Sequence, residues 1–462
     1  MSRLRVWLLT VAMSLATMTL DSSATTLSEA VQQAVLTNPK IDAAQANRRA
    51  NEYSFKQAKG RLLPEVELGA DIGQQKIDRP NGLGPDVNDV WQDRRQATLS
   101  VRQVLFDGWD RANDIYRSQA NISAASFKVM VRSEAVGLNS VEAYIDVVRH
   151  NELLALAEDN VRRHQALLKI IQERYDGGRS PIGDLEQTVE RVESAKALVA
   201  RIKVARETAK AKYKNAVGVT ASNLKPVKYA TGIPKSVAEV TDRAIRNNPR
   251  VKEAVAESQV AYFDQQQFKS TLYPQLFLEG AATRGENLEG TPGRNDELEA
   301  MVVLRWKLFD GGVRQNRTAE LGERHSEKLA EQMILVRQLT EEAETAWARL
   351  VDGRAEVTAI KTEVAQNIKV VATYRDEYNA NKRSLLDVLD AENARFSSQF
   401  ELSNVISVHI FSSYELLAQM GVLLKTLGVR AQEIPDVPSN PLPTLLRGPS
   451  QQEFDIPALS QE

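Results

Sequence analysis

Four histidines, His150, His164, His325 and His409, are the residues from which a metal centre or an acid–base pair would most readily be built. Their spacing builds neither: all four fall on stretches that read as helix, and most read as ordinary surface or interface positions. The chain has no cysteine, which removes thiolate chemistry and disulfides together. No glycine-rich phosphate loop, zinc signature or Gly-x-Ser-x-Gly elbow occurs. Gly82 and Gly84 lie between strand-like segments rather than ahead of a helix, so they belong to a loop. These residues point to no enzyme and no cofactor. Among the carboxylates, Asp387 follows Ser384 by three residues, the pattern of a capping box, in which the acid stabilises a helix N-terminus. Ser180 before Pro181 reads likewise as an N-cap and first helical position. The run Glu341-Glu342-Ala343-Glu344 reads as a solvated helix face.

The elements that carry these residues occur twice. Asn38-Pro39 lies over Asn248-Pro249 and Pro64 over Pro274, at an offset of 210 residues. Leu105-Phe106-Asp107-Gly108 lies over Leu308-Phe309-Asp310-Gly311, Tyr175 over Tyr378 and Asp184 over Asp387, at an offset of 203. A period of about 200 residues is far longer than a solenoid unit. It marks a duplicated structural half.

At 462 residues, 42% hydrophobic and 26% charged, the chain reads as folded. A net charge of −2 leaves no basic footprint for nucleic acid. Arg3 and Arg5, the apolar run Val6 to Leu20, and Ser22-Ser23-Ala24 form the charged, apolar, small-residue order of a signal peptide, with cleavage expected after Ala24. The competing reading, a membrane anchor, needs about 20 apolar residues, more than this run supplies. Without cysteine there is no site for a lipid anchor. No later stretch is apolar enough for a transmembrane helix, so entry into a membrane would require a closed β-barrel.

No proline occurs between Pro85 and Pro181 or between Pro292 and Pro435. Such stretches, rich in good helix formers, predict long helices, because interior proline is costly there. Residues 108–175 would span about 100 Å at 1.5 Å per residue, and 311–378 match them. Second helices are expected from Asp184 to Val217 and from Asp387 to Gly421, with coiled-coil packing in an elongated body. Between the helices, Pro64 to Gln75 and Arg95 to Phe106 alternate apolar and polar residues. Segments about Gln275–Glu279 and Glu299–Lys307 do the same. These predict four strands of membrane-crossing length, linked by Asp78–Asp93 and Glu286–Asp296, with turn signals at Asn81-Gly82, Gly84-Pro85 and Thr291-Pro292-Gly293. Four strands cannot close a barrel, so several chains must pool theirs. The tail from Arg430 holds six of the sixteen prolines and reads as irregular.

The Asn-Pro opening each half, the Leu-Phe-Asp-Gly after each hairpin, and Leu385-Leu386-Asp387-Val388-Leu389-Asp390 together resemble the TolC-like outer-membrane efflux proteins. The resemblance spans residues 25–430. It implies an α+β membrane protein of the Gram-negative outer membrane: a homotrimer with a twelve-stranded barrel, four strands per chain, continuing into a periplasmic helical tunnel. The chain would divide into a signal peptide (1–24), a first repeat (25–217, with hairpins 64–106 and 108–217), a second repeat (218–428, with hairpins 274–309 and 311–428) and a tail (429–462). Implied partners are a periplasmic membrane-fusion adaptor, an inner-membrane ABC or proton-driven transporter, and outer-membrane lipid. The family carries out multidrug efflux or type I protein secretion, and performs no chemistry. Asp387 and Asp390 match the family's constriction carboxylates. Arg383, Tyr378 and Asp184 match the latch that holds the tunnel closed. Gly183 stands where the family pattern can carry a hydroxyl residue. The sequence leaves a structural coiled-coil scaffold or adhesin as the alternative; that reading accounts for the helices but not for the strands.

Overall fold

A computed structural model describes residues 25–78, 88–431 and 434–438. The signal-peptide reading, the turn signals at Asn81-Gly82 and Gly84-Pro85, and most of the proline-rich tail lie outside the described residues.

The chain opens with α1 (Leu27–Thr37) and α2 (Pro39–Gly60), and Asn38 serves as the last cap of one and the first cap of the other. Its Oδ1 accepts from the Lys40 N–H at 3.0 Å, and Pro39 occupies a first-turn position where its missing N–H costs nothing. The strands β1 (Glu65–Lys76) and β2 (Trp91–Phe106) follow, then α3 (Asp110–Asp176) and α4 (Ile182–Val217). The order then repeats as α5 (Val237–Asn247), α6 (Pro249–Lys269), β3 (Gln275–Leu288), β4 (Thr291–Arg305), α7 (Val313–Asn379) and α8 (Leu385–Gln419). A short α9 (Leu423–Thr426) ends the described helices.

The duplicated motifs have structural reasons. Asn248 caps α6 as Asn38 caps α2, its Oδ1 accepting from the Arg250 N–H at 2.9 Å. Each asparagine also donates from Nδ2 to a carbonyl at the far end of its own half's second long helix, Asn38 to Ala216 and Asn248 to Gln419. Asn-Pro therefore starts a helix and ties it to another. In the Asp-Gly motifs, Asp107 and Asp310 each accept from an arginine four residues on, Arg111 and Arg314, at 2.6 Å. Gly108 and Gly311 take the left-handed conformation. At Gly108 a Cβ would lie 2.6 Å from the Ser270 carbonyl oxygen, so only glycine fits.

α3 and α7 are 67 residues each, about 100 Å long. On α7 the buried residues Ala343, Leu350, Val357, Val364, Val371 and Tyr378 recur every seventh position. That period keeps one seam facing α8 and winds the pair left-handed. α3 packs against α4 and also against α8, which joins the two helical hairpins. The largest core lies around the middle of α3, where Val31, Tyr144, Tyr213, Leu350 and Leu417 meet. The Tyr144 hydroxyl donates there to the carbonyls of Thr25 and Lys225. Smaller clusters continue along the hairpins to their tips.

The four strands form one antiparallel sheet in the order β1-β2-β3-β4. The register places Glu67, Ser100 and Glu299 on one face, and Leu68, Leu99 and Leu298 on the other. The apolar face is uncovered: Leu68, Ile72, Leu298 and Val302 are all exposed. Among the described residues β1 and β4 each have a partner on one side only. Among the described residues no helix is long and apolar enough to cross a membrane.

Two local expectations are corrected. The β3–β4 turn is Glu289-Gly290, not Thr291-Pro292-Gly293. Both turn residues have positive φ, the geometry that suits the strands' twist. Pro292 instead opens an outer strand, where a missing N–H is tolerated, and the Gly293 N–H donates to Asn287 Oδ1 beside a local irregularity. β2 likewise begins at Trp91, four residues ahead of Arg95.

Candidate functional site

The two long hairpins turn back at equivalent points with the same backbone. Gly178 and Asn381, 203 residues apart, each take the left-handed conformation, at φ 68° and 57°. The Arg179 N–H donates to the Arg174 carbonyl at 2.8 Å, and the Lys382 N–H to the Glu377 carbonyl at 2.8 Å, a Schellman closure of α3 and of α7. Asparagine tolerates this conformation better than other side-chain-bearing residues, which is why Asn381 can stand where the first half uses glycine.

The side chains differ. α8 starts with a complete capping box: the Asp387 N–H donates to Ser384 Oγ at 3.2 Å, and the Ser384 N–H donates to Asp387 Oδ2 at 3.3 Å. α4 has no side-chain cap. Ser180 does not fill that role, because Pro181 is itself the extended cap residue, at ψ 158°, and the helix begins at Ile182.

Asp387 and Asp390 lie three residues apart near the start of α8, so they share a face. Their side chains are 43% and 63% exposed, while Leu385 before them and Val388 and Leu389 between them are buried. Burial of that apolar stripe against Leu167 and Ile171 of α3 fixes the helix and leaves the acids facing outward. Each acid has one weak cationic neighbour, at 3.9 Å: Arg383 for Asp387, and Arg191 of α4 for Asp390.

Arg383 lies over the Tyr374 ring at 4.0 Å and donates from Nε to Glu377 at 2.9 Å. The Glu377 hydrogen bond pushes its pKa up, so it stays a cation under all working conditions. Tyr378 is buried in the tip cluster, and the Arg174 guanidinium stands 4.6 Å from its ring centre. Asp184 sits in the first turn of α4, and its backbone carbonyl accepts from Thr188 Oγ1 at 2.7 Å. The tip thus brings Arg383, Asp387, Asp390 and Tyr378 onto one hairpin. Within the described chain Arg383 pairs with Glu377 and Asp387 rather than with Asp184.

Arg191, Glu377 and Arg174 were not singled out from sequence. Glu377 and Arg383, six apart and on either side of the turn, meet only because the Schellman closure folds the chain back. Deeper on α8, Glu392 and Arg395 are buried charges, also missed. Their sequence signal was their place on the same apolar stripe as Leu385, Val388, Leu389 and Phe396. Two of the four histidines are buried: His164 contacts the Asn160 carbonyl, and His409 lies between the Leu350 carbonyl and the Tyr229 hydroxyl.

Long helical hairpins joined to a sheet with one uncovered apolar face are the architecture of outer-membrane efflux channels. A family model described as outer membrane efflux protein matches residues 30–219 and 240–407, and the chain belongs to that family. The chain is 22% identical over 397 residues to the outer membrane efflux protein BepC of Brucella suis, covering 86% of this chain and 85% of that one. It is 22% identical over 431 residues to the outer membrane protein TolC of Escherichia coli, covering 87% and 83%. Among solved structures, the fold matches VceC of Vibrio cholerae with a TM-score of 0.73 at 17% identity, covering 88% of this chain and 97% of that one. It matches the CmeC outer membrane channel of Campylobacter jejuni with a TM-score of 0.75 at 14% identity, covering 86% of each.

Proposed function

We propose that three copies of this chain form a passive exit duct through the Gram-negative outer membrane. Each contributes β1–β4 to a twelve-stranded barrel and its two helical hairpins to a tunnel below it. The chain divides functionally at its repeat, residues 25–217 and 218–428, each half supplying one strand hairpin and one helical hairpin. The observation that carries this reading is the open sheet. Among the described residues its apolar face is uncovered and its two outer strands lack partners on one side, and a four-stranded sheet is too small to close on itself. Pairing β4 of one copy with β1 of the next would satisfy both edges, and lipid would cover the apolar face.

The tunnel's far end is the tip of the hairpins, gated in the second half. Six carboxylates, Asp387 and Asp390 from three chains, make a ring that favours cations and resists anions. Arg383, Tyr378 and the Asp184 side chain form the latch, with the Arg383–Asp184 contact made across the boundary between copies. A periplasmic adaptor and an inner-membrane transporter deliver cargo to this end. Relatives named for alkaline protease secretion and for pyoverdine export, 23% identical each, support protein secretion and small-molecule efflux alike. The chain acts without catalysis. The test is the native mass of the detergent-solubilised protein: three chains are expected, and a stable monomer with a protected sheet would overturn the reading.

A further inference from the structure

α8 carries a second charged feature, just past Asp390, that faces inward. Glu392 is 1% exposed and Arg395 5% exposed. The Glu392 carboxylate contacts the guanidinium of Arg375 on α7 and the Nε of Arg395 at 3.2 Å. Arg395 in turn reaches Asp159 of α3 at 3.9 Å. Asp159 also accepts from its own helix, from Arg163 at 2.6 Å and Arg162 at 3.1 Å. A line of alternating charge therefore runs from α7 through α8 to α3.

Neither Glu392 oxygen, nor the Nε of Arg375 or Arg395, has an aligned hydrogen-bond partner among the described residues. The line is held by charge rather than by directional bonding. Burial works against the charge on Arg395 and lowers its pKa, so the site is electrostatically demanding. Buried ion pairs are weak contributors to stability, and the surrounding residues Leu389 and Phe396 show that apolar side chains are accommodated here. Charges at such a place set register: Arg395 meets Glu392 within α8, three residues along the same helix, whereas Arg375 meets Glu392 only when α7 and α8 are aligned along their axes. Asp159 meets Arg395 only when α8 lies on α3.

We propose that Glu392, Arg375, Arg395 and Asp159 act as a register clamp that holds the α7–α8 hairpin on α3 and so positions Asp387 and Asp390 in the closed gate. These are positioning residues, and the proposal rests on the reading of α8 as the gate helix. The test uses the full-length protein in planar lipid bilayers, with heat stability of the oligomer as the measure of folding. Asp159→Asn cuts the link to α3 at a partly exposed position and leaves the Arg375–Glu392–Arg395 group intact. It is expected to raise single-channel conductance several-fold with heat stability unchanged, and Asp159→Glu is expected to restore the closed value. Arg395→Lys, which keeps charge without the planar fork, is expected to stay closed, whereas Glu392→Gln opens. Lowered heat stability with unchanged conductance in both Asp159→Asn and Glu392→Gln would reduce the line to a structural role. Wild-type conductance in those two, alongside an open Arg383→Ala channel, would overturn the clamp and leave the gate reading standing. Wild-type conductance in Arg383→Ala as well would remove the gate reading itself.

Discussion

The tips of the two helical hairpins share a backbone and differ in what is attached to it. Gly178 and Asn381 close their helices in the same left-handed geometry, followed by the same reversal. At the first tip, α4 starts without a side-chain cap, and Gly183 has open space where a Cβ would be. At the second, α8 has a capping box, an arginine stacked on Tyr374 and paired to Glu377, and a stripe of buried leucine and valine seated on α3. Duplication supplied one tip geometry twice, and substitution on it separated a tip with few side-chain contacts from the side-chain-locked tip proposed as the gate. The shape of the fold is held by backbone bonding, which tolerates such divergence; the proposed function is held by side chains.

The largest break in that contrast should come from the packing beneath the second tip. Leu389 is fully buried, while its first-half equivalent, Glu186, is exposed. Leu389→Ala is expected to cost about 2–5 kcal/mol and Glu186→Ala less than about 0.5 kcal/mol. The check is the urea midpoint, with trypsin cleavage at exposed Lys382 as the local readout. Equal losses at the two tips would mean that α8 is no more firmly seated than α4.

Next in size is the effect on ion passage. Asp387→Asn with Asp390→Asn removes all six proposed ring charges from a trimer while keeping side-chain size. Block of single channels by a polyvalent cation should then weaken at least tenfold, about 1.4 kcal/mol or more of binding. Block at wild-type concentrations would place the cation site elsewhere. The smallest effect is expected at Gly183. It has no positive φ, and a Cβ there meets nothing within 4 Å, so serine fits without strain. Gly183→Ser should stabilise the start of α4 by about 0.5 kcal/mol through loss of chain freedom. It should also lower the open probability slightly by adding a hydroxyl to the latch; a rise in open probability would count against that role.

Much of the architecture was legible because it rests on short-range rules written twice. The duplicated Asn-Pro and Asp-Gly motifs each specify a helix start that depends on neighbours in sequence, and alternation marked where the strands lie. β3 nevertheless runs on to Leu288 and β4 starts at Thr291, through most of the stretch read as their link. The β3–β4 turn was misplaced because Pro292-Gly293 is the louder punctuation, yet Glu289-Gly290 has the conformation that matches strand twist. Ser180 was misread because Pro181 takes an extended ψ and becomes the cap itself. At the tip, the Asp387 capping box was legible from Ser384 three residues ahead of it, whereas Arg383 was named only through the family resemblance. Glu377 was not legible, since its contact with Arg383 depends on how the chain reverses. Glu392 and Arg395 were hidden for another reason: charges on a long helix ordinarily face water, and only the packing of α8 against both α7 and α3 buries these two.

The central claim is that the second tip supplies the gate's carboxylate ring and the cation of its latch, and one paired measurement bears on it directly: single-channel conductance of Arg383→Ala and of Ser180→Ala, its first-half equivalent, in planar bilayers under identical salt. The account predicts a several-fold increase for Arg383→Ala and wild-type conductance for Ser180→Ala. Equal conductance of the two variants, whether raised or unchanged, would contradict it.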